Sequence, residues 1–366
     1  MITSQTQLSI NNYPNYFIMN TTTEVQVDPF KIIQVGLSFW SSKTLLSATK
    51  LGLFTLLGDK KALTAEEIRA ELGLNEKGLY VRDFLDALFS MGFLQRNGVG
   101  AEATYQNTLN TAMFLDKNQP SYLGGFLEMA NDREYKFWGD LEEGLITGKP
   151  QNEIKYTGKS SFEAIYEKPE SLAQFTEAMS SIQKLSFMGF AEQFDFSPYK
   201  QVLDVGGSAG LLSALIAHQH AHLHCTTFDL PKLEPFAKKT AEQYGVADRV
   251  TVKNGDFFRD SFPEADVITM GNILHSFDME TKRMLIRKAY EALPEGGCLA
   301  VIEMILDNER KENTFGLLMS LNMLIESDSG FNYTQNQFKQ WTSEAGFSRV
   351  EFFPLGGPVS AGIAYK

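Results

Sequence analysis

The sequence has few of the features that tie a protein to a membrane, a nucleic acid or an oxidising compartment. Its 366 residues include only two cysteines, Cys225 and Cys298, each at the start of an apolar run, so we expect reduced core residues. No run of eighteen apolar residues occurs, which argues against a membrane-spanning helix. The net charge of −12 disfavours a phosphate backbone as partner and favours a small molecule or a protein.

The first residues also lack the features of a targeting signal. Residues 1–19 are rich in Asn, Gln and Ser, and they contain neither a basic n-region nor an apolar h-region. We therefore predict a disordered N-terminal tail over residues 1–28 and a cytoplasmic protein.

Residues 29–120 are predicted to form a mostly helical domain. Apolar residues recur at three- and four-residue spacing over residues 29–57. The stretch LTAEEIRAELGL, residues 63–74, combines a Thr N-cap, an acidic first turn and a terminal glycine. A second helix over residues 79–92 and a short β-wing follow. Helix, turn, helix and wing together are typical of a winged-helix unit.

A winged helix invites a DNA-binding interpretation, which the charges disfavour. Between residues 62 and 98, four basic residues stand against six acidic ones. The second helix carries Asp83 and Asp86, which would lie against phosphates. We therefore predict no nucleic-acid partner and expect this domain to serve dimerisation or to cover a substrate.

Residues 121–198 are predicted to be a helical linker that contributes to a substrate pocket, and residues 199–366 an α/β domain. Strand-like runs alternate with helices in the latter, near residues 201–205, 223–228, 249–253, 265–271, 298–304, 348–353 and 361–365. Such alternation predicts a doubly wound sheet. Ligands of such sheets bind at the carboxyl ends of the strands.

The stretch QVLDVGGSAGLLSAL, residues 201–215, combines a buried strand, a glycine turn and the start of a helix. Gly206, Gly207 and Gly210 would let backbone N–H groups approach a nucleotide closely. The dinucleotide fingerprint G-x-G-x-x-G is not met, because serine and leucine stand where its second and third glycines belong. An NAD-linked dehydrogenase is therefore disfavoured.

Acidic residues lie at the ends of the first three strands of this domain. Asp204 precedes the glycine turn, Asp229 ends the second strand and Asp256 follows the third. An acid at the second strand end can accept a hydrogen bond from a ribose hydroxyl. Asp256 and Phe257 could bind the amino group and the ring of an adenine, a feature that the dinucleotide pattern lacks.

Four motifs in order, LDVGGSAG, FDLP, GDFF and ILHSFD, resemble those of the class I S-adenosylmethionine-dependent small-molecule O-methyltransferases. These are the relatives of the caffeate, flavonoid and acetylserotonin enzymes. The resemblance runs from about residue 30 onward. It implies an N-terminal winged-helix dimerisation domain that is followed in the sequence by a Rossmann-like catalytic domain. It implies that the cofactor is S-adenosylmethionine and that the protein is a homodimer. It also implies an acceptor hydroxyl on a small aromatic or polyketide-like secondary metabolite.

The resemblance also assigns roles to the strand-end residues. It implies that Gly206 and its neighbours hold the methionine part of the donor, Asp229 and Leu230 its ribose, and Asp256 and Phe257 its adenine. The predicted cofactor-binding set is completed by Asp204, Gly207, Gly210 and Asn272.

His275 is implied as the general base and Glu303 as the acid that orients it. A phenol with a pKa of about 10 needs a base closer to neutrality, which histidine provides. His275 follows the strand VITMGNIL and Glu303 ends the strand LAVIE, so we expect both at the site edge of the sheet.

Two positions depart from the family pattern. Ser276 follows the base where Asp is usual, and Asn332 with Tyr333 stands where a second Glu is common. Glu326 is a candidate replacement acid. These departures leave open an N- or C-methyltransferase or a non-methylating member of the fold. A winged-helix transcription regulator with a ligand-sensing domain is a further alternative.

The acceptor pocket is predicted to be lined by Met179, Met323, Trp138 and Asn332, with Phe137 as a weaker candidate. Relatives clamp a flat ring at positions that match the two methionines.

The run AHQHAHLHC places four histidines at alternate positions, His218, His220, His222 and His224. Ligands on a metal-binding helix recur every four residues, and a strand would need ligands from a second element. We therefore predict a solvent-exposed turn and no metal.

Overall fold

The computed structural model describes residues 28–75 and 78–366. The tail predicted over residues 1–28 therefore lies outside the described residues except for Asp28. The chain divides into two compact units, the first ending at Ala112 and the second spanning Met113–Lys366. The domain boundaries expected near residues 120 and 198 stay predictions. Within the described ranges no helix is long and apolar enough to cross a bilayer.

The first unit is mostly helical and carries one small antiparallel sheet with the strand order β1-β3-β2. Its elements are α1 (Phe30–Gly36), α2 (Ser38–Lys50), α3 (Leu53–Lys60), β1 (Leu63–Thr64), α4 (Ala65–Glu71), α5 (Gly78–Ser90), β2 (Leu94–Asn97), β3 (Thr104–Asn107) and α6 (Leu109–Phe114), in which the unit ends.

Local chemistry explains the start of the helix–turn–helix. The Thr64 side chain accepts a hydrogen bond from the Glu67 N–H group, and the Glu67 carboxylate accepts one from the Thr64 N–H group. This capping box satisfies two amide groups that a helix start leaves without partners. α4 packs against α5, and α5 against the hairpin of β2 and β3. The arrangement is the helix, turn, helix and wing that the sequence predicts.

The second unit begins with a helical region that precedes its sheet. This region contains α7 (Gly124–Met129), a π-helical turn (Ala130–Glu134), α8 (Tyr135–Phe137), α9 (Leu141–Thr147), α10 (Glu153–Thr157), α11 (Ser161–Glu167) and α12 (Pro169–Gln193). α12 packs along α7 and against α11. π-helical turns are rare and are frequent at functional sites.

A seven-stranded sheet with the order β6-β5-β4-β7-β8-β10-β9 forms the centre of the second unit. Its strands are β4 (Gln201–Val205), β5 (His224–Asp229), β6 (Val250–Asn254), β7 (Val267–Gly271), β8 (Cys298–Glu303), β9 (Arg349–Pro354) and β10 (Ser360–Tyr365). The helices around it are α13 (Leu211–Gln219), α14 (Glu234–Gln243), α15 (Met279–Ala292), α16 (Thr314–Glu326) and α17 (Gln335–Ala345).

The sheet confirms the predicted Rossmann-like class. All seven strands lie within two residues of their predicted positions. The five strands from β6 to β8 in the sheet order are parallel, whereas β10 runs antiparallel to both of its neighbours. The strand order reverses between β4 and β7, and such a switch point opens a crevice at the carboxyl ends of the strands. Both cysteines are buried and free.

Candidate active site

The glycine turn follows β4 at this switch point. Gly206 and Gly210 adopt left-handed backbone conformations, with φ of 70° at each, and Ser208 between them has φ of 50°. A Cβ atom at Gly207 would lie 2.6 Å from Asp204 Oδ2. The turn therefore needs its glycines both for their backbone angles and for close packing.

Asp229 lies directly against this turn. Its Oδ2 atom accepts a hydrogen bond of 2.8 Å from the Ser208 N–H group, and its Oδ1 atom one of 2.7 Å from the Leu230 N–H group. Burial raises the pKa of Asp229 to about 6. Each carboxylate oxygen keeps a further lone pair, so the group can still accept from a pair of ribose hydroxyls.

The turn also contains a polar atom that the described protein leaves unsatisfied. Ser208 Oγ is buried and has no hydrogen-bond partner among the described residues. Buried polar atoms in native proteins nearly always have partners, so a ligand at the turn accounts for this one. The residues present thus fit a nucleoside-containing donor such as S-adenosylmethionine.

Asp204 has a different position from the other predicted cofactor-binding residues. Its side chain is buried, accepts hydrogen bonds from Thr269 Oγ1 at 2.9 Å and from Ser213 Oγ at 3.4 Å, and has its pKa raised to about 7 by burial. The carboxyl group lies under the turn. Its contribution to a donor site is therefore to support the shape of that turn.

The two predicted adenine-binding residues, Asp256 and Phe257, follow β6, and the Phe257 ring lies near the glycine turn. Asp256 Oδ1 accepts a hydrogen bond of 2.9 Å from the Phe258 N–H group. The Phe257 ring packs against Phe277 at 5.9 Å between centroids, and its Cε1 atom lies 3.6 Å from the position of a Cβ atom at Gly206. The structure thus brings the glycine turn and the Phe257 ring together.

Tyr166, on α11, is a neighbour of the donor site that sequence reasoning missed. Burial and the negative charge of Asp229 both raise the pKa of its hydroxyl group. Lys232, just beyond Asp229, donates a hydrogen bond of 3.0 Å to the Tyr166 carbonyl. No local pattern could identify this residue, because the contact joins segments far apart in the sequence.

His275 lies in a short 3₁₀ turn, Leu274–Ser276, immediately beyond β7. The imidazole is buried, with 8% of the residue exposed. Glu303, at the end of β8, accepts a hydrogen bond of 3.3 Å from the backbone N–H group of His275. The structure therefore brings the predicted pair together, with the carboxylate holding the backbone of the turn. In the described part of the chain, His275 Nδ1 has no hydrogen-bond partner.

The surroundings of His275 favour its neutral form. Burial lowers its pKa most strongly, the Glu303 carboxylate opposes that effect, and the positive charge of Lys282 adds to it. The polar groups of Asn332 and Asn272 act in the raising direction. The pKa remains below the ordinary value for histidine, so the imidazole is available as a base at neutral pH.

Asn332 and Tyr333 pack beside this pair from the segment that follows α16. Asn332 Nδ2 donates to the Gly316 carbonyl at 2.8 Å and to the Met304 carbonyl at 3.3 Å. Tyr333 is 1% exposed, and burial together with the charge of Glu303 raises the pKa of its hydroxyl group. The segment is held close to the His275 turn, since a Cβ atom at Gly330 would lie 2.8 Å from the His275 carbonyl oxygen.

Two family models match the chain. The model described as the O-methyltransferase domain matches residues 138–348, and the model described as the O-methyltransferase dimerisation domain matches residues 33–117. The chain belongs to the O-methyltransferase family. It is an enzyme that uses S-adenosylmethionine, as its sequence motifs predict. The matches do not support an NAD-linked dehydrogenase or a DNA-binding transcription regulator.

Individual relatives agree with this assignment over nearly the whole chain. The tetracenomycin polyketide synthesis 8-O-methyl transferase TcmO of Streptomyces glaucescens is 36% identical over 338 residues, which are 92% of this chain and 97% of TcmO. The N,N-dimethyltransferase OxyT of Streptomyces rimosus is 31% identical, covering 86% of this chain and 90% of OxyT. The structure of human N-acetylserotonin methyltransferase with S-adenosylmethionine has a TM-score of 0.85 at 26% identity, covering 95% of this chain and 99% of that one.

Several of the residues predicted to line the acceptor pocket lie on or against α16. Trp138 Nε1 donates a hydrogen bond of 2.7 Å to Asn322 Oδ1, next to the buried Met323. α16 packs against both the His275 turn and α9. Two predicted pocket residues, Trp138 and Met323, are thus connected to the His275 turn through one helix. Met179 lies half-buried on α12, and its contact with an acceptor stays a prediction.

Glu326, the candidate replacement acid, is paired with Arg133 of the helical region, and a role for it beside His275 stays a prediction. Its carboxylate accepts a hydrogen bond of 3.1 Å from Arg133, which also forms two bonds of 2.6 and 2.7 Å to Glu153. Glu134, beside Arg133 at the end of the π-helical turn, has its pKa raised to about 7 by burial and by the charge of Glu326. Sequence reasoning missed this ionic cluster of the helical region.

The alternating histidines lie at the opposite end of the sheet from the site. His220 Nε2 contacts the Ala191 carbonyl oxygen at 2.8 Å, and His222 Nε2 contacts the Phe196 carbonyl oxygen at 3.2 Å. Across residues 28–75 and 78–366, no group of three or more His, Cys, Asp and Glu side chains could hold a metal ion. The histidine contacts are instead with backbone carbonyl groups.

Proposed function

We propose that this enzyme methylates a hydroxyl group on a small aromatic or polyketide-like metabolite, with His275 as the general base. The observation that carries the proposal is the buried imidazole of His275, which lies in a turn whose backbone N–H group is bound by Glu303 and whose surroundings favour the neutral form of the ring. A base of this kind typically contributes about 10²–10⁴-fold to the rate.

Several residues would hold the donor. The turn from Gly206 to Gly210 would lie against its methionine part, Asp229 would accept from its ribose, and Asp256 with Phe257 would bind its adenine. Bound S-adenosylmethionine supplies a methyl group activated by a sulfonium. The protein then has to align the acceptor oxygen and remove its proton. His275 would take that proton on a ring nitrogen, and the carboxylate of Glu303 would stabilise the imidazolium through its charge.

The side chains around α16 support the proposed acceptor class. We expect Trp138 and Met323 to present a flat apolar surface to the acceptor, and the Trp138–Asn322 hydrogen bond fixes the indole in place. Such a surface suits a planar ring system, because aromatic and thioether groups stack on it. TcmO is an 8-O-methyl transferase of polyketide synthesis, which supports a hydroxyl group of a polyketide as the acceptor, and we choose fused-ring phenols to represent this class.

Two measurements test this function in sequence. Calorimetric titration with S-adenosylmethionine, S-adenosylhomocysteine and NAD should show binding of the first two compounds only. Fused-ring phenols should then gain one methyl group, detected by mass spectrometry, whereas the same compounds with the hydroxyl already methylated should not react. Binding of both sulfur compounds without any phenol methylation would contradict the proposed acceptor class.

N-methylation is a second candidate, favoured by one relative and by one feature of the site. OxyT is an N,N-dimethyltransferase, and Asn332 replaces the second Glu that the family pattern leads one to expect. A matched pair of acceptors that differ only by an amino group in place of the hydroxyl separates the two reactions. Faster methylation of the amine would favour the second candidate.

We also propose that the chain forms a homodimer through its first unit. α1 buries none of its residues and exposes Ile32 by 77% and Val35 by 66%, and Trp40 on α2 is 61% exposed. A contiguous apolar surface of this kind marks an interaction site. The match to an O-methyltransferase dimerisation domain supports a second copy as the partner.

The double substitution Ile32→Glu/Val35→Glu should convert the dimer to a monomer in sedimentation equilibrium. Val99→Glu is the matched control, because Val99 is 80% exposed on the wing rather than on α1. A wild-type monomer, or a dimer that survives the double substitution, would contradict this interface.

A further inference from the structure

Lys282 is a buried lysine beside the proposed base. It lies in the first turn of α15 and is 0% exposed. It occupies the same helical stripe as Leu285, Ile286 and Ala289, all of which are buried in the core under the sheet. A lysine is almost never fully buried without a partner, because its charged group loses its hydration. The partners of the Lys282 ammonium group therefore indicate the role of this residue.

The ammonium group contacts the two segments that flank the proposed base. Lys282 Nζ donates a hydrogen bond to the carbonyl of Phe277, two residues beyond His275. It also lies 3.3 Å from the centroid of the Phe331 ring, immediately before Asn332. A cation over an aromatic face is attracted by the ring quadrupole, and the attraction is stronger in a desolvated site. One cation thus joins the His275 turn to the segment that packs against it.

We propose that Lys282 is a positioning residue of this active site, one that fixes the His275 turn to the Phe331–Tyr333 segment and places a positive charge beside the imidazole. The inference rests on the proposed role of His275 as the base. A positive charge next to the ring opposes its protonation, so it keeps the base available at lower pH.

The effect of the Lys282 charge on His275 has to be weighed against the other charged groups nearby. Glu303 from β8 acts on His275 in the opposite direction, and Asp278, at the start of α15, acts on Lys282 itself. Asn332 and Asn272 are the neutral polar neighbours of the ring. Burial lowers the pKa of Lys282 to about 8, so the ammonium group is still charged at pH 7. The positive charge of Lys282 thus opposes the effect of the Glu303 carboxylate on His275, and both effects act together with burial on the ring.

The test is the pKa of His275 measured by NMR on protein labelled at the histidine Cε1 carbon. The chain has five histidines, and loss of one signal in His275→Asn identifies the signal of interest. In Lys282→Met the pKa of His275 should rise by about one pH unit, because a neighbouring like charge has been removed. Lys339→Met is the matched control, since the exposed Lys339 also lies over a ring, 5.6 Å from the centroid of Phe352. It should leave the His275 titration unchanged.

Two further variants keep the test decisive. Lys282→Arg retains the charge and should hold the pKa of His275 near the wild-type value, whereas a purely structural role would make it resemble Lys282→Met. Phe331→Leu keeps Lys282 but removes the ring, so it should raise the pKa of His275 by less than Lys282→Met does. If Lys282→Met fails to fold, these two variants alone decide. An unchanged His275 titration in every folded Lys282 and Phe331 variant would overturn the proposal.

The titration needs neither donor nor acceptor, so it separates this inference from the proposed function. A protein that binds no S-adenosylmethionine would overturn the function while the titration still decides the role of Lys282. Once an acceptor is known, Lys282→Met should move the acidic limb of the pH–rate profile to higher pH by the same amount. A lower turnover with an unmoved limb would count against the electrostatic role.

Discussion

The proposed donor end of the site, around Gly206 and Asp229, and the proposed base end, around His275 and Glu303, lie at the same edge of one sheet but are stabilised differently. At the donor end, the carboxylate of Asp229 is held by backbone N–H groups of the turn and of the next residue. At the base end, charged and polar side chains from the His275 turn, β8, α15 and the segment after α16 face one another in a buried cluster.

This difference has a consequence for substitution. Backbone hydrogen bonds persist when a side chain changes, so the donor end should tolerate exchanges that keep its turn. Buried charges depend on one another, and removal of one leaves the others without compensation. The base end should therefore respond strongly to the loss of a single charged group.

The largest effect is expected at the base itself. His275→Ala should lower turnover by about 10²–10⁴-fold, because the acceptor proton then has no base. Donor affinity should not change, since the donor is held by other residues. Steady-state kinetics and calorimetry measure the two quantities. Equal losses of turnover and donor affinity would mean that His275 contributes to donor binding as well as to proton removal.

At the donor end, Asp229→Ala should weaken S-adenosylmethionine binding by about 10–100-fold, the equivalent of one charge-assisted hydrogen bond. Turnover at saturating donor should stay close to the wild-type value. Glu234→Ala is the matched control, because this half-buried acid pairs with Lys238 and Asn254 instead. Calorimetric titration of the three proteins provides the comparison.

The pH dependence of donor binding should report the same carboxylate. Burial raises the pKa of Asp229 to about 6, so its protonated form gains population as the pH falls through that value. The protonated carboxyl group accepts fewer hydrogen bonds, and donor affinity should fall by up to about tenfold per pH unit below 6. Asp229→Asn should flatten this dependence. A wild-type affinity that is constant between pH 5 and 7 would exclude Asp229 as a donor contact.

Two glycine substitutions should affect the two ends separately. A Cβ atom at Gly207 would lie 2.7 Å from Thr227 Cγ2, and one at Gly330 would lie 2.9 Å from the Ser276 carbonyl carbon. Each Gly→Ala change should destabilise the fold by about 1–3 kcal/mol through overpacking. Gly207→Ala should mainly weaken donor binding, and Gly330→Ala should mainly lower turnover. Gly139→Ala is the control, because its Cβ atom would meet nothing within 4 Å. Urea unfolding and kinetics distinguish the three variants.

The smallest effect is expected far from both ends. His224 is exposed at the start of β5, so His224→Ala should change stability by no more than about 0.5 kcal/mol and leave turnover unchanged. Thermal unfolding and the standard assay test this. A marked loss of activity would show that the histidine run has a role that its backbone contacts do not explain.

The strands and the donor end could be predicted because their signals are local. Each strand is an apolar run, and the turn, Asp229 and Phe257 each lie within a short motif at a strand end. The sequence also placed His275 and Glu303 at one edge, since β7 and β8 are parallel neighbours. It could not show that Glu303 holds the backbone of the His275 turn, because a motif does not specify which atom of a residue is bound.

The contacts that the sequence did not predict join distant segments of the chain. Arg133 and Glu326 are 193 positions apart, and no periodic pattern connects them. Lys282 did leave a signal, because it falls on the apolar stripe of α15 where a leucine or alanine is typical. A charged residue at a core position is the kind of local conflict that marks a functional site.

The position of β10 has a consequence for how the enzyme is made. β8, which carries Glu303, lies between β7 and β10, and Ser360 of β10 is the residue opposite Glu303. A ribosome will have synthesised every residue of the proposed site before Ser360 emerges, yet one edge of β8 is still unpaired at that stage. Unpaired strand edges are prone to aggregation. A nascent chain stalled before β10 is therefore expected to need chaperone protection even though its active-site residues are already present.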